Sequence, residues 1–409
     1  MDGSITQGVF ENASPPGIDT PAADVARVAE DAMSIAYLGH DACDAAVRRR
    51  VKALVDDGFG VHGFMPRRRP RSKAFWPHTD LGETLDGAFA QRFRFIFSGA
   101  ERVASEPAFQ SADVIIARNL DMLAMAFEAK RRAGLDTPVI YECLDVHRLL
   151  TRTDVVGKAM RRLERSFVKR CKAVWVSSPG FLDHHFHVHH QGHYQSFLLE
   201  NRLPESGEYG PRPDQPKPVD VRPLSVGWVG NLRCQRSFDL LLGLADQFGD
   251  AIAIHLHGQP ARTEIPVFEP EIEQRDNVHF HGRYDGAAAL ARVYDGLDAV
   301  WAGDFMEAGA NSEWLLPNRI YEGGYFGVPP IAPSGTQTAK WIEGHGVGVL
   351  LSEPLADTLP ASIRTLIADK SPLNICRERL LGLPNRVFVE PVGTLKELLS
   401  NSLNSEPAP

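Results

Sequence analysis

The sequence predicts an α/β protein with two parallel-sheet domains, and three observations support that prediction. Short apolar segments alternate with amphipathic segments of helical spacing, which is the pattern of strands linked by crossover helices. A stretch with six prolines, residues 204–223, interrupts this alternation near the middle of the chain. The 409 residues also exceed what one ordinary hydrophobic core organises. Two α/β domains joined by the proline-rich stretch would face each other across a central cleft that could hold a ligand.

The composition predicts a cytoplasmic globular protein. Hydrophobic residues make up 43% and charged residues 23% of the chain, and the formal net charge of −8 argues against a nucleic-acid partner. The five cysteines form no C-x-x-C pair, so neither a disulfide framework nor a zinc ribbon is expected. No apolar run reaches the length of about 18 residues that a membrane helix needs. Residues 1–31 lack a signal pattern and are expected to form a disordered tail.

The first domain is predicted at residues 32–203. Its strands are expected at 34–40, 59–66, 111–119, 137–147 and 173–180, and its helices at 47–58, 121–134 and 151–172. After the first strand, Gly39, His40 and Asp41 form a small-residue turn where a ligand could approach the carboxyl end of the sheet. The turn is not a G-x-G-x-x-G fingerprint, so nothing favours a nicotinamide cofactor.

The strand predicted at 137–147 ends in three ionisable side chains. Glu142, Asp145 and His147 lie where an open α/β sheet places its ligand crevice. A histidine beside carboxylates at that position could act as an acid, as a base or as a sugar-binding group. It could equally be a loop histidine that is hydrogen-bonded to its neighbours.

Two basic segments stand out in this acidic chain. Residues 66–73 contain a run of five cations: Arg67, Arg68, Arg69, Arg71 and Lys73. The helix predicted at 151–172 carries eight cations against two carboxylates, a local charge of +6: Arg152, Lys158, Arg161, Arg162, Arg165, Lys169, Arg170 and Lys172 against Asp154 and Glu164. Basic amphipathic helices bind anionic lipid surfaces, although many are only solvated.

A run of six histidines lies between residues 184 and 193: His184, His185, His187, His189, His190 and His193. Imidazole is a common metal ligand. No cysteine is interleaved, however, and no H-E-x-x-H spacing occurs. The run is interpreted as a compositional bias, and no metal site is expected there.

The second domain is predicted at residues 224–372, after a semi-rigid linker at 204–223. Strands are expected at 224–233, 251–258, 277–283, 298–304 and 346–351, and helices at 237–249, 287–297 and 360–370, the last beginning at Pro360. Residues 373–409 are expected to form a C-terminal segment with a closing helix at 395–403.

The segment 311–332 combines features of a nucleotide cradle. Pro317 can start a short helix over 318–325, because its missing N–H has no partner in a first turn. The orphan N–H groups and positive dipole end of such a helix favour a phosphate. Glu322, one turn further on, could accept two hydrogen bonds from a ribose diol. A proline-initiated helix before an apolar strand also occurs in many α/β proteins, so the segment alone leaves both interpretations open.

Residues 33–370 resemble the GT-B class of nucleotide-sugar-dependent glycosyltransferases, particularly family-4-like bacterial enzymes of succinoglycan-type exopolysaccharide synthesis. The segments that support this resemblance are VGNLRCQRSFDLLL at 229–242, LPNRIYEGGYFGVPPIA at 316–332, and YECLDVH at 141–147 with the basic helix and strand that follow. The resemblance implies two Rossmann-like α/β/α domains that face a central cleft. It also implies a donor site formed by the loops after the first strand of each domain and by the segment around residue 322.

The resemblance assigns a donor-binding role to ten residues: Gly39, Gly230, Asn231, Arg233, Arg236, Pro317, Asn318, Arg319, Ile320 and Glu322. Glu322 would bind the ribose, and the amides at 318–320 the diphosphate. Relatives carry an arginine and a lysine in the loop after the first strand of the second domain, and these positions are Asn231 and Arg236 here. Arg233 could substitute for the first cation. Fixed cations are useful there because the departing diphosphate develops negative charge.

Catalytic roles are implied for His147, Asp145, Glu313 and Arg236, and acceptor-side roles for His40 and Asp41. Retaining relatives place an acid eight residues before the ribose-binding glutamate. Trp314 occupies that position, with Glu313 beside it, so retention of the anomeric configuration is in doubt. No D-x-D motif occurs, which agrees with metal-independent departure of the diphosphate.

The sequence therefore predicts a glycosyltransferase that moves a hexose from a nucleotide diphosphate sugar, expected to be a UDP-sugar, to a saccharide or lipid-linked saccharide. No cofactor and no metal are expected. The protein would lie in the cytoplasm, with a peripheral contact to the inner face of the plasma membrane through its basic segments. Two alternatives remain open: a non-catalytic scaffold of the same fold in a polysaccharide assembly complex, and a nucleotide-sugar epimerase.

Overall fold

The protein is described by a computed structural model, which covers residues 32–67, 74–83, 89–216, 222–284 and 286–404. The predicted N-terminal tail lies outside the described residues, as do most of the basic run (68–73), residues 217–221 of the predicted linker, and residues 405–409. Among the described residues, no helix is long and apolar enough to span a bilayer.

The first domain contains a parallel seven-stranded sheet. Its strands are β1 Ser34–Leu38, β2 Gly60–Arg67, β3 His78–Glu83, β4 Val114–Arg118, β5 Val139–Cys143, β6 Ala173–Val176 and β7 Ser196–Leu198. The strand order is β3-β2-β1-β4-β5-β6-β7, and all the pairs are parallel. The order reverses between β1 and β4, which is the point where a doubly wound sheet opens a ligand crevice.

The helices of this domain are α1 Ala45–Asp56, α2 Phe89–Ser105, α3 Pro107–Gln110, α4 Asn119–Ala133, α5 Val155–Val168, α6 Pro179–Phe181 and α7 His187–His190, with a π-helical turn at Leu182–Phe186. The helices α1, α5 and α6 begin after residues whose side chains cap them. Gly134 ends α4 in the left-handed conformation, as its sequence position predicts. The basic helix α5 is shorter than the predicted span 151–172, because the Asp154 side chain accepts a hydrogen bond from the Gly157 amide and caps its start.

The second domain repeats the architecture with six parallel strands. They are β9 Leu224–Leu232, β10 Ile252–Pro260, β11 Val278–Gly282, β12 Ala299–Trp301, β13 Pro330–Pro333 and β14 Val349–Leu351. Their order is β11-β10-β9-β12-β13-β14, which matches the order of the first sheet. The order reverses between β9 and β12, so both domains place a crevice at the carboxyl ends of their central strands.

The helices of the second domain are α8 Gln235–Phe248, α9 Phe268–Glu273, α10 Leu290–Asp295, α11 Asn311–Trp314, α12 Asn318–Tyr325, α13 Gln337–His345, α14 Leu355–Ala368 and α15 Ser371–Gly382, with 3-10 turns at Gly249–Ala251, Ala287–Ala289 and Asn385–Val387. The helix predicted to start at Pro360 starts five residues earlier, so that prediction was wrong. Pro360 lies inside α14, where it leaves one backbone hydrogen bond unmade, and the apolar contacts of Leu355, Leu359 and Ile363 with the domain core hold the helix together.

The C-terminal segment ties the two domains together. β8 Leu203–Pro204 and β15 Val389–Glu390 form a two-stranded parallel sheet at the junction. α16 Thr394–Asn404 then packs its Leu395 and Leu399 into the core of the first domain, and its Ser402 accepts a hydrogen bond from the Trp175 indole at 2.9 Å. The predicted domain boundary at residue 372 falls inside α15, because α15 packs with α12 and α14 as part of the second domain.

Candidate active site

The two crevices face each other, and several contacts close the cleft between them. The amide of Val146, in the loop after β5, donates to the Asn311 side chain of the second domain at 3.0 Å. The same Asn311 side chain donates to Asp145 at 3.3 Å. Nearby, the Ser178 hydroxyl donates to the backbone carbonyl of Trp314. Loops from both sheets therefore meet at the carboxyl ends of their strands, where the sequence predicted a ligand site.

Glu322 lies buried on α12 and contacts groups from both domains. Its Oε2 accepts a hydrogen bond from the Tyr294 hydroxyl at 2.8 Å, and its Oε1 pairs with the Arg49 guanidinium of α1 in the first domain. Burial works against the charge on Arg49, but the Glu322 carboxylate holds the guanidinium pKa above its ordinary value. Both oxygens of the predicted ribose-binding carboxylate are thus engaged by protein groups in this closed arrangement.

The start of α12 has the predicted geometry. Pro317 precedes the helix with extended backbone angles, and the helix begins at Asn318. The Asn318 side chain accepts a hydrogen bond from Asn201, which belongs to the segment after β7 of the first domain. Arg319 and Ile320 are buried, and Arg319 donates to a backbone carbonyl at the end of β12 at 3.3 Å. Burial lowers the pKa of Arg319. The helix start and its cation therefore lie at the domain junction.

The loop after β9 places one predicted cation inward. Gly230 has φ of +114°, a conformation that glycine adopts without strain, and Asn231 is exposed. Arg233 lies 3.8 Å from the Asp304 carboxylate. Although burial opposes its charge, the carboxylates of Asp145, Asp304 and others raise the pKa of Arg233. Arg233 is therefore a half-buried, permanently charged group at the cleft.

Arg236 is placed differently. Its guanidinium donates to both oxygens of Glu353 at 2.7 and 2.9 Å and lies 4.3 Å from the centre of the Phe305 ring. Both partners of this ion pair are half exposed. The second predicted cation thus lies half exposed in the first turn of α8. It pairs with Glu353 and not with the carboxylates that surround Arg233.

Carboxyl groups gather around Arg233 with raised pKa values. Burial raises the pKa of Asp145, and burial together with the nearby Asp145 carboxylate raises that of Glu307. These groups can hold a proton more readily than ordinary carboxylates. Glu313 is exposed instead, and its Oε1 accepts from the Gly309 amide at 2.6 Å. The candidate acid beside Trp314 therefore caps a local turn.

Trp314, at the position where relatives carry an acid, packs against the first domain. Its ring stacks on His184 with a centroid separation of 5.4 Å and an interplanar angle of 14°. A Cβ on Gly180 would lie 2.5 Å from the Trp314 carbonyl oxygen, so only glycine allows this close approach of α6 and α11. The tryptophan thus serves as a contact between domains in this structure.

The predicted acceptor-side loop of the first domain is held by local hydrogen bonds. Gly39 is buried, and its amide donates to a β2 carbonyl. Asp41 accepts from the Cys43 amide at 2.9 Å, and His40 lies 3.5 Å from Asp44. In the loop after β5, the Nδ1 atom of His147 accepts from the Leu149 amide at 3.3 Å. His147 therefore has a hydrogen bond within its own loop, and its side chain is half-buried beside the cleft.

Glu142, the third of the predicted polar residues, lies within β5 and is buried inside the first domain. Its carboxylate accepts from Arg50 and Arg118, both at 2.7 Å, and from the Tyr37 hydroxyl at 2.8 Å. Arg50 also contacts Glu390 of β15 at 3.1 Å. Burial would raise the pKa of Glu142, but the two guanidinium groups lower it to about 2. This network supports the crevice from within the sheet and leaves no oxygen of Glu142 without a donor.

The histidine run has an unexpected role in the core. His185 and His190 are buried, and their Nε2 atoms lie 2.7 and 2.8 Å from the same Oε2 of Glu164 on α5. The Tyr141 hydroxyl donates to the other oxygen at 3.1 Å. The three side chains could hold a metal ion by distance, yet the Nε2 atoms of both histidines already contact the Glu164 carboxylate. Nδ1 of His190 is buried without a hydrogen-bond partner among the described residues. Only the tertiary structure separates these two core histidines from the exposed ones.

One described cavity does not coincide with the predicted donor site. It has a volume of about 240 Å³ and lies near the domain junction behind α12, where its lining residues are Glu200, Arg202, Trp341, His345, Arg386 and Val387. None of these is a predicted donor residue. The predicted donor residues lie instead at the strand ends, where the two crevices meet and where Arg49 pairs with Glu322.

Sequence reasoning missed Arg49, Arg50 and Tyr294. The arginines belong to the segment VRRRVK, which was interpreted only as part of an amphipathic helix. Three consecutive arginines on a helix whose other residues are largely apolar could have indicated buried carboxylate partners. Which carboxylates they contact depends on residues far along the chain, and no local pattern encodes that.

Comparisons with known proteins support this description. No family model matches the chain. The chain is 37% identical over 326 residues to the succinoglycan biosynthesis protein ExoL of Rhizobium meliloti strain 1021, which covers 78% of this chain and 81% of that protein. Among solved structures, the sucrose-phosphate synthase of Thermosynechococcus elongatus has a TM-score of 0.70 at 15% identity, covering 91% of this chain and 99% of that one.

Two further solved structures share the architecture over nearly their whole length. The Anabaena protein HepE in complex with UDP-glucose has a TM-score of 0.65 at 15% identity, covering 91% of this chain and 100% of that one. WaaG, a glycosyltransferase involved in lipopolysaccharide biosynthesis, has a TM-score of 0.59 at 14% identity with the same coverage. At such low identity these likenesses bear on the fold alone, and they confirm the predicted GT-B arrangement of two Rossmann-like domains.

Proposed function

The chain belongs to the family of the succinoglycan biosynthesis protein ExoL, and on that premise we propose that it is a glycosyltransferase of polysaccharide synthesis. It transfers a hexose from a nucleotide diphosphate sugar, taken to be a UDP-sugar, to a saccharide or lipid-linked saccharide. The observation that carries the proposal is the buried carboxylate of Glu322 at the junction of the two crevices, on a helix that starts behind Pro317. HepE, which shares the fold, holds UDP-glucose.

Donor binding exchanges protein contacts of Glu322 for nucleotide contacts. The Arg49 pair crosses the cleft, so opening of the domains frees Oε1 without disturbing the Tyr294 contact inside the second domain. A ribose diol then donates to the released carboxylate. The start of α12 and the buried cation Arg319 lie one turn earlier and attract the diphosphate.

Arg233 is the cation that stabilises the negative charge of the leaving group. Negative charge develops on the diphosphate as the sugar departs, and a fixed positive group is most effective in a water-poor cleft. Arg233 is half-buried among the carboxylates of Asp145 and Asp304, whereas Arg236 pairs with the exposed Glu353. Arg233 therefore supplies the charge that relatives obtain from the Asn231 position, and Arg236 contributes less in the closed form.

Proton exchange with the acceptor hydroxyl is assigned to the carboxyls beside Arg233. Asp145 has a raised pKa and faces the cleft next to His147, so it suits a group that accepts and returns a proton. Glu313 is held by the Gly309 amide at the rim and is better placed to orient a sugar. The acceptor enters from the side of His40 and Asp41, and no step requires a metal ion.

The protein works on the cytoplasmic face of the membrane that carries its lipid-linked acceptor. Support comes from α5, whose exposed surface carries Val155 at 80% exposure together with Leu163, Lys158 and Arg162. Apolar side chains beside cations favour an anionic lipid surface. Sedimentation with anionic vesicles should fall when Val155 and Leu163 are changed to serine, and unchanged sedimentation would exclude this face.

The decisive experiment is a thermal-shift panel of UDP, GDP, dTDP and ADP with their sugars, applied to the wild type, Glu322→Ala and Glu343→Ala. A ligand that binds only the folded form raises its stability by an amount set by the ratio of its concentration to Kd. We expect one nucleotide to stabilise the wild type and Glu343→Ala, whose changed carboxylate is exposed on α13, but not Glu322→Ala.

The same panel separates the alternatives. Stabilisation that persists in Glu322→Ala would contradict the cradle, and no stabilisation by any nucleotide would favour a scaffold. Among enzymes, sugar release or epimerisation in the absence of an acceptor would favour an epimerase over a transferase.

A further inference from the structure

A cluster of histidines lies at the edge of the second sheet. β10 alternates buried apolar residues with half-exposed ones, so His255 and His257 project from the same face of the sheet. β11 is the edge strand beside β10 and carries His281 near its end. None of these three residues is a predicted donor or catalytic residue, and no function considered so far uses them.

Side-chain alternation places His281 on the same face as the other two histidines, because His279, two residues earlier, pairs with His255, and an irregularity in strand pairing follows. The parallel register pairs Leu256 with Phe280 but His257 with Gly282, so His281 is an extra residue on the edge strand. An extra residue in one strand re-aims a side chain. The ring of His281 lies 4.1 Å from that of His257 and 5.3 Å from that of His255, between centroids.

The donor atoms are close enough to share one ion. Nδ1 of His255 and Nε2 of His281 are 3.0 Å apart, and one ring nitrogen from each of the three histidines lies within 4.8 Å of the others. Two imidazole nitrogens bound tetrahedrally to zinc at about 2.0–2.1 Å are about 3.3 Å apart. The two nitrogens of His255 and His281 already approach that separation. A side-chain rotation of His257 would bring its ring nitrogen to a similar distance from both.

The surroundings keep these imidazoles in the form that binds metal. Burial and the neighbouring histidines lower the pKa of His255 and of His257 to about 4, and burial lowers that of His281. Neutral imidazole is the ligand form, so protons do not compete for the nitrogens near pH 7. Arg222, a cation that acts on His255, is paired with Asp298 at 3.0 Å, which reduces its repulsion of a bound ion.

We propose that His255, His257 and His281 form a binding site for one divalent transition-metal ion, of which Zn²⁺ is the expected occupant. Three nitrogen ligands with no carboxylate suit Zn²⁺, Co²⁺, Ni²⁺ or Cu²⁺ and disfavour Mg²⁺ or Ca²⁺, which prefer oxygen. His281 is exposed, so the fourth position of a tetrahedral ion faces solvent. The ion would join the edge strand β11 to β10. It would take no part in sugar transfer.

A simpler interpretation is a stack of neutral rings on an exposed sheet face. The rings of His257 and His281 are nearly parallel, at 5°, which a stacking contact alone would produce. A stack has no preference for a metal, whereas the proposed site binds one Zn²⁺ per chain and depends on each of the three histidines. Metal titration therefore distinguishes the two.

The experiment titrates Zn²⁺ into the full chain, purified without a polyhistidine tag, by calorimetry in the presence of excess Mg²⁺. Co²⁺ provides a second readout, because bound Co²⁺ absorbs visible light with an intensity that reports tetrahedral coordination. The test variants are His281→Gln and His255→Gln. The controls are His279→Gln, on the same strand but outside the three donors, and the double variant His187→Gln/His189→Gln in the first domain.

We expect one Zn²⁺ site per wild-type chain, unchanged in both controls. Changing a residue behind a ligand typically costs 10–100-fold in metal affinity, so His281→Gln should cost at least about a hundredfold. The metal-free melting temperature of His281→Gln should equal that of the wild type, because the side chain is exposed. The proposal is overturned by the absence of a Zn²⁺ site in the wild type. It is also overturned by Zn²⁺ affinity that survives in His281→Gln, or that is lost only in the first-domain control.

Discussion

Two adjacent arginines of α1 contact two buried glutamates in very different ways. Arg50 turns into its own domain, where it shares Glu142 with Arg118 and Tyr37. Arg49, one residue earlier, crosses to the second domain and pairs with Glu322. Each glutamate also accepts a tyrosine hydroxyl at 2.8 Å. Similar chemistry therefore produces one contact that only unfolding breaks and one that domain opening breaks.

This difference indicates what each pair can do. A buried carboxylate with several donors from its own domain supports the fold, and removal of one partner leaves an uncompensated charge. A buried carboxylate whose cation comes from across a cleft can exchange that cation for a ligand. The Glu142 network is therefore structural, whereas the Glu322 pair is assigned to the donor site.

The largest expected effect is on stability. Glu142→Gln should lower the free energy of unfolding by about 3–5 kcal/mol, because Arg118 stays buried without its carboxylate partner and Arg50 keeps only Glu390. Glu322→Gln should cost much less, because Arg49 can turn to solvent when the domains open. Urea denaturation of both variants measures the two values. Equal losses of unfolding free energy in the two variants would contradict the distinction between the Glu142 network and the Glu322 pair.

The next largest effect is expected on the stability of the protein at acidic pH. The folded-state pKa of Glu142 is about 2, below its ordinary value of 4.5, so its contribution to stability is complete above the ordinary value and is lost as pH falls through the folded one. The free energy of unfolding should fall between about pH 4.5 and 2 in the wild type and more shallowly in Glu142→Gln. Denaturation at a series of pH values tests this. If the free energy of unfolding fell equally steeply with pH in the two proteins, carboxyl groups other than Glu142 would control the loss of stability in acid.

A smaller effect is expected on nucleotide affinity. Arg49→Ala removes the competitor for Glu322, so nucleotide binding should tighten, by up to about tenfold if most chains are closed beforehand. Arg50→Ala should leave the affinity of the remaining folded protein unchanged and lower its stability. Calorimetric titration of both variants gives the comparison. Weaker nucleotide binding in Arg49→Ala would mean that Arg49 contacts the donor itself.

The smallest effect comes from the matched tyrosines. Tyr37→Phe and Tyr294→Phe each remove one hydroxyl donor from a glutamate, and each should cost about 1–2 kcal/mol of unfolding free energy. Only Tyr294→Phe should also change nucleotide affinity, since its partner is Glu322. If Tyr37→Phe changed the affinity equally, the two carboxylates would be coupled through α1.

Local signals predicted much of the fold. The cradle helix begins after Pro317 and ends at Tyr325, as predicted, because a proline before a helix and a glycine after it act within a few residues. Gly134 ends α4 for the same kind of reason. The basic helix was predicted too long, since hydrophobic periodicity does not reveal that Asp154 would cap it.

The site was less accessible to sequence reasoning. Glu322 was singled out from its place on a short helix, but the partner it contacts, Arg49, lies 273 residues away. His185 and His190 looked like members of a compositional run, yet they meet the buried Glu164 only after α5 and the following turns pack together. Side-chain alternation puts His281 on the same face as the β10 histidines, but the sequence does not encode the irregular register that sets where its ring lies.

By itself, the sequence determined the α/β class, the two-domain division, the helix that carries Glu322 and the loops that flank the cleft. These follow from periodicity, proline and glycine positions and chain length, all of which act locally or in bulk. The tertiary structure alone decided which arginine crosses the cleft, which histidines are buried and which predicted cation faces inward. Those outcomes depend on electrostatic and packing contacts between residues far apart in the chain, whose geometry exists only once both sheets have formed.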